Sequence, residues 1–339
     1  MQTPRMTTTQ RVLGRSGIAV SPLGFGCWAI GGPWQDTEGL PLGWGAVDDE
    51  ESVRAVRRAL ELGVTFFDTA DCYGTGHSEE VLGRALKGRR EEVVLASKWG
   101  NVFDPATGTM ARDPDVSPGY VRRALTASLR RLGTDHLDLY QFHIGHAPPE
   151  VGEELREVCE ELVAEGLIRA YGWSTDFPDR AKVFAAGEHC ASVQLNCNVL
   201  EDAPELLALC EAEGLAAINR GPLAMGVLTG KYDSVPGGGA SLSPGDIRAE
   251  PPAWLRYFKD GRLEPAWRAK FEAVRDVLTS AGRTPAQGAL AWLWARSPAA
   301  VPIPGIRTVA QAEQNAAAME FGPLTAEQLM DIERLLGRR

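Results

Sequence analysis

Four residues carry most of the chemistry legible in this chain: Asp68, Tyr73, Lys98 and His143. Asp68 and Tyr73 share the stretch Phe66-Phe67-Asp68-Thr69-Ala70-Asp71-Cys72-Tyr73-Gly74, Lys98 ends the run Val93-Val94-Leu95-Ala96-Ser97-Lys98, and His143 ends Leu139-Tyr140-Gln141-Phe142-His143. A lysine that ends an apolar run is costly to bury without a counter-charge, and Asp68 is the candidate partner. A phenol with an ordinary pKa of about 10 is a poor proton donor at neutral pH. Bringing it down to neutrality takes roughly 4 kcal/mol. One ammonium about 4 Å away supplies that at an effective dielectric of ~20. An Asp68–Lys98–Tyr73 chain is therefore expected to make Tyr73 an acid and base near pH 7, with a neutral His143 orienting a substrate oxygen. Such a phenol, with no nucleophile and no metal set beside it, suits carbonyl reduction, whose hydride must come from a cofactor. Taken singly, Asp68 reads equally as a loop cap, Tyr73 as a packed ring and Lys98 as a snorkelling side chain. The four together resist that reading.

All four sit at or just past the ends of strands. Apolar, β-branched runs predict strands at Leu23–Cys27, Val64–Asp68, Val93–Lys98, Leu137–His143, Ile168–Ser174, Ser192–Asn196, Ala216–Arg220 and Ala300–Pro304. Helical patterns fall near 50–61, 78–87, 118–131, 151–165, 178–186, 203–213, 264–281, 284–296, 308–318 and 325–336. The first helix opens at the acidic Asp48-Asp49-Glu50, and Ser78 is expected to N-cap the second. Arg11–Val20 predicts an N-terminal hairpin around Gly14 and Gly17. Strict alternation of strand and helix implies a parallel sheet. Eight such units without a composition break suit one (β/α)8 TIM barrel spanning residues 1–339, rather than an open two-domain sheet. The Gly- and Pro-rich segment at about 232–262 then reads as a flap over the barrel mouth. Gly24-Phe25-Gly26-Cys27-Trp28-Ala29 satisfies a dinucleotide fingerprint in form only, because Ile30-Gly31-Gly32-Pro33 follows where a helix should open.

Composition narrows the partners. At 339 residues, 44% hydrophobic and 24% charged, the chain has the balance of a globular protein, and its net charge of −10 argues against nucleic acid or an anionic membrane. The six cysteines form no CxxC pair or framework and read as reduced thiols. The polar start lacks the apolar core of a signal peptide, and no apolar run approaches the ~18 residues a membrane span needs. A cytoplasmic protein with a small-molecule partner is expected; its oligomeric state is hidden.

The motifs together are similar to those of the aldo-keto reductases. The matching stretches are F-F-D-T-A-D-C-Y-G with S-E-E-V-L-G, A-S-K-W-G, L-Y-Q-F-H, Y-G-W-S-T, V-Q-L-N-C-N, G-P-L-A-M-G-V-L-T-G-K-Y and I-P-G-I-R-T-V-A-Q-A-E-Q-N, in order over roughly residues 10–320. The resemblance implies a hairpin-plugged (β/α)8 barrel reducing aldehydes or ketones with NADPH lying across its mouth. It implies Tyr73 as general acid, Asp68 and Lys98 as its tuning pair, and His143 as substrate orienter. It further implies Cys27 and Trp28 beside the cofactor, Ser174, Thr175 and Gln194 at the carboxamide, and Arg220 beneath the nicotinamide. Gly221, Pro222, Leu223, Gly226 and Lys231 would follow the pyrophosphate, and Gly305, Arg307, Gln311, Gln314 and Asn315 the adenosine end, with Arg248 a further phosphate ligand. Thr175 stands where Asn or Arg is frequent, Arg220 where a stacking ring is usual, and Cys27 where Thr is frequent, so these contacts depart from the family pattern. Physically, Gly305 lets backbone approach a phosphate at a helix start, and Arg307 can fork onto a 2′-phosphate, which favours NADPH over NADH. Trp28, Trp34, Trp44, Trp99 and Phe103 are candidates for an aromatic-walled pocket. Two other readings compete: a nucleotide-binding regulatory subunit like the potassium-channel β subunits, and a metal-dependent hydrolase built on His143 and His146. The intact four argue against the first, and the lack of a matching carboxylate cluster argues against the second.

Overall fold

The structure, a computed structural model, describes residues 10–232 and 242–338. It opens with the hairpin β1 (Arg11–Val12) and β2 (Ala19–Val20). The barrel strands are β3 (Gly24–Gly26), β4 (Phe66–Asp68), β5 (Val94–Trp99), β8 (Leu137–Phe142), β9 (Ile168–Ser174), β10 (Cys190–Asn196), β11 (Ala216–Arg220) and β14 (Ala300–Pro302). Small antiparallel hairpins, β6 (Phe103–Asp104) with β7 (Thr109–Met110) and β12 (Phe258–Lys259) with β13 (Arg262–Leu263), were not expected from the sequence. The barrel strands pair in parallel in chain order from β3 to β14. Gly26 closes the ring: its N–H donates to the Pro304 carbonyl at 2.9 Å and its carbonyl accepts from Ile306 N at 3.3 Å. A Cβ on Gly26 would stand 2.7 Å from the Ile303 carbonyl oxygen, so the closing seam requires glycine there.

Around the barrel run α1 (Asp49–Glu61), α2 (His77–Leu86), α3 (Pro118–Leu132), α4 (Pro149–Ala164), α5 (Pro178–Ala185), α6 (Pro204–Ala212), α7 (Pro265–Leu278), α8 (Pro285–Arg296), α9 (Val309–Ala316), α10 (Ala318–Phe321) and α11 (Ala326–Leu335). Asp48 caps α1 as expected, accepting from the backbone N–H groups of Glu50 and Glu51. Ser78 does not cap α2. That helix starts a residue earlier behind Gly76, whose φ is 106°, and the Ser78 hydroxyl instead donates to the Cys27 carbonyl at 2.8 Å and meets the Thr69 hydroxyl at 2.9 Å. It joins the ends of the first two barrel strands. No helix among the described residues is long and apolar enough to cross a membrane.

The two-residue period of a strand divides each barrel strand between two cores. Outward residues such as Leu95, Trp99, Tyr140, Phe142, Tyr171 and Trp173 pack under the helices. Inward residues Phe66, Val94, Ala96, Leu139, Ala170, Ala216, Ile218 and Val301 form a second core, plugged from below by Leu13, Ile18 and Val20 of the hairpin region. Trp99 is fully buried in the outer core against Tyr140 and Phe142, so it does not line the mouth as the sequence suggested. Of the segment 232–262, residues 233–241 lie outside the described residues. The remainder is a strap rather than a loose flap: Ile247, Leu255, Tyr257 and Phe258 are buried, and Ile247 N bonds the Gly43 carbonyl at 2.8 Å.

Candidate active site

Following the inward face upward, apolar side chains give way to polar ones at the carboxyl ends of the strands. Phe66 leads to Asp68, Val94 and Ala96 to Lys98, Leu139 to Gln141 and His143, and Ala216 and Ile218 to Arg220. The same alternation that fills the barrel therefore aims these groups at its mouth. Lys98 is fully buried, and its three ammonium protons find three acceptors: Asp68 Oδ1 at 2.5 Å, the Thr69 carbonyl at 2.7 Å and Tyr73 Oη at 3.3 Å. Because Tyr73 Oη accepts from Lys98, the tyrosine's own proton is free for a third partner. Asp68 Oδ2 accepts from Gln141 Nε2 and Gln194 Nε2, each at 2.9 Å, so the carboxylate is fully engaged.

Electrostatics correct one expectation. Burial, assisted by Asp68 and Cys72, pushes the Tyr73 hydroxyl up to about 12, and Lys98 only partly opposes this. The ammonium is already matched by Asp68, so to Tyr73 the pair presents little net charge. For Lys98, burial works against the charged form, yet Asp68 and Tyr73 hold its pKa above the ordinary lysine value. Burial, and then the charges of Lys98 and Arg220, hold His143 well below the usual histidine value, so it is neutral. Asn101 Nδ2 lies 3.4 Å from His143 Nδ1 and can only donate to it, which places the proton on Nε2. The His143 ring meets the Tyr73 ring edge-on at 5.8 Å between centroids.

The Cys72–Tyr73–Gly74 turn is pinned by an unusually close backbone approach. A Cβ on Gly74, whose φ is +58°, would fall 1.7 Å from the Gly31 carbonyl oxygen. This contact brings the Cys27–Ile30 turn against the Tyr73 loop, and the Trp28 ring lies over Tyr73 at 6.1 Å, inclined by 25°. Trp44 meets Trp28 edge-on at 5.2 Å, and Trp254 from the strap lies 6.3 Å beyond it. Trp34 is buried in one cluster with Ala70 and Cys72, against which Trp28, Tyr73 and Phe103 pack. Behind the turn, Asp71 is buried, and among the described residues neither carboxylate oxygen has a well-formed hydrogen bond; burial and then Glu79 push its pKa well up, against the Arg131 charge and the Cys72 backbone N–H.

The remaining expected residues divide. Ser174 and Gln194 are register partners on β9 and β10, and Gln194 gives its Nε2 to Asp68 and Gln141, leaving Oε1 for an incoming amide. Gly221 and Gly226 take φ values of 62° and 93° in the turn after β11, with Pro222 and Leu223 between them. Lys231, Arg248 and Arg307 converge beyond this turn. Desolvation, then the charges of Arg248 and Arg307, bring Lys231 down to about 8. Among the described residues no carboxylate lies within ion-pair distance of Lys231 or Arg307. Arg307 Nη1 reaches the Trp44 carbonyl at 3.3 Å, and Gln311 Oε1 accepts from Arg307 N at 2.9 Å. Gln314 is exposed and Asn315 buried on α9.

Four of the expected residues have their side chains engaged within the chain. Cys27 is buried and gives its S–H to the Phe25 carbonyl, so of that pair only Trp28 reaches the mouth. The Thr175 hydroxyl donates to the Gly145 carbonyl at 2.7 Å and accepts from Phe177 N at 3.2 Å, which fixes a turn. Arg220 is paired through Nη2 with Asp176, an edge contact that leaves the guanidinium faces uncovered by that partner. Arg248 is buried, with its guanidinium bound to both Asp246 oxygens, Tyr232 Oη and the Met225 carbonyl, and lying 4.6 Å from the Trp44 ring. It anchors the strap and has little left for a phosphate. Conversely, Gln141, Asn101 and Trp254 escaped the sequence reading. Gln141 and Asn101 stood inside quoted or neighbouring motifs, whereas nothing local marked Trp254.

A barrel with an Asp–Lys–Tyr–His cluster at its mouth defines a class of oxidoreductases, and the comparisons agree. Residues 22–336 match the Aldo/keto reductase family, and the chain belongs to it. The uncharacterized oxidoreductase YqkF of Bacillus subtilis is 30% identical over 325 residues, covering 96% of this chain and 95% of the relative. The holo form of aldo-keto reductase AKR11C1 from Bacillus halodurans superposes with a TM-score of 0.76 at 32% identity, covering 96% of each chain. An aldo/keto reductase from Klebsiella pneumoniae, solved in complex with NADP and acetate, superposes with a TM-score of 0.69 at 27% identity, covering 97% of this chain and 96% of the other.

Proposed function

We propose that this protein reduces aldehyde or ketone carbonyls to alcohols at the expense of NADPH, with Tyr73 as the proton donor. The observation that carries this reading is the direction of the hydrogen bond at Tyr73: Lys98 donates to its oxygen at 3.3 Å, so the phenolic proton points elsewhere. The residues present suit the nucleotide. Among the described residues Lys231 and Arg307 form no ion pair with a carboxylate, although Asp246 lies near enough to favour the Lys231 charge, and a Cβ on Gly305 would meet Ala29 Cβ at 3.8 Å, so backbone can be approached closely there. Ser174 and Gln194 Oε1 would hold the carboxamide, Lys231 the pyrophosphate, and Arg307 with Gln311 the adenosine end. Bound in this way NADPH supplies the hydride.

The chain's own groups manage the proton. The carbonyl oxygen is received between Tyr73 Oη–H and His143 Nε2–H, two donors that polarise it as charge develops. As hydride joins the carbonyl carbon, the C=O π pair moves to oxygen, and Tyr73 passes its proton to that oxygen. A hydroxyl held at about 12 resists ionising to solvent yet remains acid enough for the strongly basic oxygen that forms. The tyrosinate left behind accepts from Lys98, whose charge Asp68 maintains, and solvent restores the proton. Gln141 and Gln194 keep Asp68 aimed at Lys98.

Tyr73→Phe removes the proton and little volume. NADPH affinity is expected to stay within about twofold, while carbonyl-dependent kcat falls by several orders of magnitude, since positioned general acids contribute ~10²–10⁴-fold and this one also stabilises charge. Near wild-type turnover by that variant would remove Tyr73 as the acid.

A further inference from the structure

Lys231 is unlike the other lysines of this chain. Lys98 is fully buried, and its ammonium has three acceptors. Lys87, Lys182, Lys259 and Lys270 are exposed on the outer helices and the strap. Lys231 is exposed as well, so its amine can be reached, yet it stands in a corner with Arg248 and Arg307. A Cβ on Gly226 would lie 3.0 Å from Nζ, and Nζ lies 5.0 Å from the Tyr232 ring centroid, so the amine rests against the turn after β11. Among the described residues it has no hydrogen-bond acceptor and no ion-paired carboxylate.

These surroundings change its chemistry. Desolvation, then the charges of Arg248 and Arg307, favour the neutral amine and bring Lys231 down to about 8, with Asp246 only partly opposing them. An ordinary lysine near 10.4 is about 0.1% neutral at about pH 7.5, whereas one at about 8 is roughly a quarter neutral. A neutral, reachable amine is a nucleophile, and the electrophile that a carbonyl reductase admits is an aldehyde. The neighbours choose which aldehyde. The Arg248 guanidinium is already engaged by Asp246, Tyr232 and the Met225 carbonyl. Arg307 gives only Nη1, to the Trp44 carbonyl at 3.3 Å, and its other side-chain N–H groups have no partner among the described residues. That free edge of the fork suits a phosphate.

We propose that Lys231 is a covalent modification site for phosphorylated aldehydes, which dock their phosphate on Arg307 and close an aldimine on the Lys231 nitrogen. The amine lone pair bonds to the carbonyl carbon while the π pair moves to oxygen, and a nitrogen proton passes to that oxygen to give a carbinolamine. Departure of the hydroxyl with the second nitrogen proton as water leaves C=N, with no net oxidation or reduction. The adduct fills the corner proposed for the pyrophosphate, so the adduct and the nucleotide exclude each other. That mutual exclusion rests on the NADPH reading, whereas the reactivity of the amine does not.

In the test, purified protein without nucleotide is incubated near neutral pH with glyceraldehyde 3-phosphate or with glyceraldehyde. Borohydride then fixes any C=N as a secondary amine, and peptide mass spectrometry maps the labels. Glyceraldehyde 3-phosphate is expected to label Lys231 about tenfold or more faster than Lys87, Lys182, Lys259 or Lys270 in the same digest, since roughly 100-fold more of its amine is neutral. The preference for the phosphorylated aldehyde at Lys231 is expected to vanish in Arg307→Ala. Saturating NADP+, which has no hydride to consume the aldehyde, is expected to suppress labelling at Lys231 alone. Labelling of Lys231 no faster than of the four reference lysines, or equal labelling by both aldehydes, overturns the proposal. The reductase reading then stands, since it needs only the charge of Lys231. Selective labelling that NADP+ leaves unchanged overturns the mutual exclusion, and with it the placing of the pyrophosphate at Lys231.

Discussion

At Tyr73 two opposing effects meet, and burial wins. The hydroxyl stays protonated up to about 12 despite an ammonium within hydrogen-bond distance, because Asp68 has already taken up that charge. Raised above its unfolded value of about 10, the group contributes stability that is fully present below about pH 10 and is lost as pH rises toward the folded value. His143 moves the other way: its folded pKa lies below an unfolded value of about 6.5, so its neutral form stabilises the fold above that pH and the contribution is lost as pH falls below it. Neither group changes charge near neutrality. The kcat for reduction at saturating NADPH is therefore expected to be flat from about pH 7 to 9. A decline centred near pH 7 in a kcat profile would show Tyr73 to be ionising there. Saturation matters, because Lys231, held at about 8, loses its charge in the same interval and would weaken cofactor binding instead. The sequence made the partners Asp68, Lys98 and His143 legible through their strand ends. It could not show the balance at Tyr73, which depends on how far the loop and Trp28 exclude water.

Among the elements, the Tyr73 turn and the Cys27–Ile30 turn act as one unit, joined where Gly74 meets Gly31. A methyl group at Gly74 would have to share space with a carbonyl oxygen at 1.7 Å and adopt a φ of +58°. Gly74→Ala is expected to cost on the order of 2–4 kcal/mol and to displace Tyr73 and Trp28 together, lowering kcat/KM as well as stability. Urea midpoints and turnover measured on the same preparation check this; a variant within about 0.5 kcal/mol of wild type would mean that the turns move independently. Element positions were readily legible: β9 and β11 fall where the apolar runs placed them, and α3 is only one residue longer than expected. What escaped were features made by residues distant in sequence. Ser78 looked like a cap because serine before an acidic pair usually is one, but its hydroxyl serves the Cys27 carbonyl, 51 positions away. Arg248 could be read from the sequence as a second phosphate ligand or as an ordinary surface arginine, and neither reading foresaw its enclosure by Asp246, Tyr232 and Trp44. Trp254 carried no local signal, because its partner Trp28 lies at the opposite end of the barrel sequence.

Over the whole molecule, the barrel places an apolar floor, a buried charge pair and an aromatic wall in successive layers along one axis. The hairpin plugs the floor with Leu13, Ile18 and Val20, the strand ends supply the charges, and long-range loops supply the wall. The cation-rich corner of Lys231 and Arg307 lies beyond the turn after β11, at the rim, in a chain whose net charge is −10. That local sign reversal is what an anionic nucleotide requires, and a long ligand reaching from this corner to Ser174 and Gln194 would span the mouth. A nucleotide held at the rim and delivering hydride to a carbonyl at Tyr73, as proposed, would join both ends of that span. This claim is tested most directly by following NADPH oxidation by the purified protein with and without cinnamaldehyde, after titrating NADPH against tryptophan fluorescence in the same sample. Saturable binding together with aldehyde-dependent oxidation is predicted. Saturable binding without any carbonyl-dependent oxidation would contradict the claim, leaving a nucleotide-binding barrel that does not reduce.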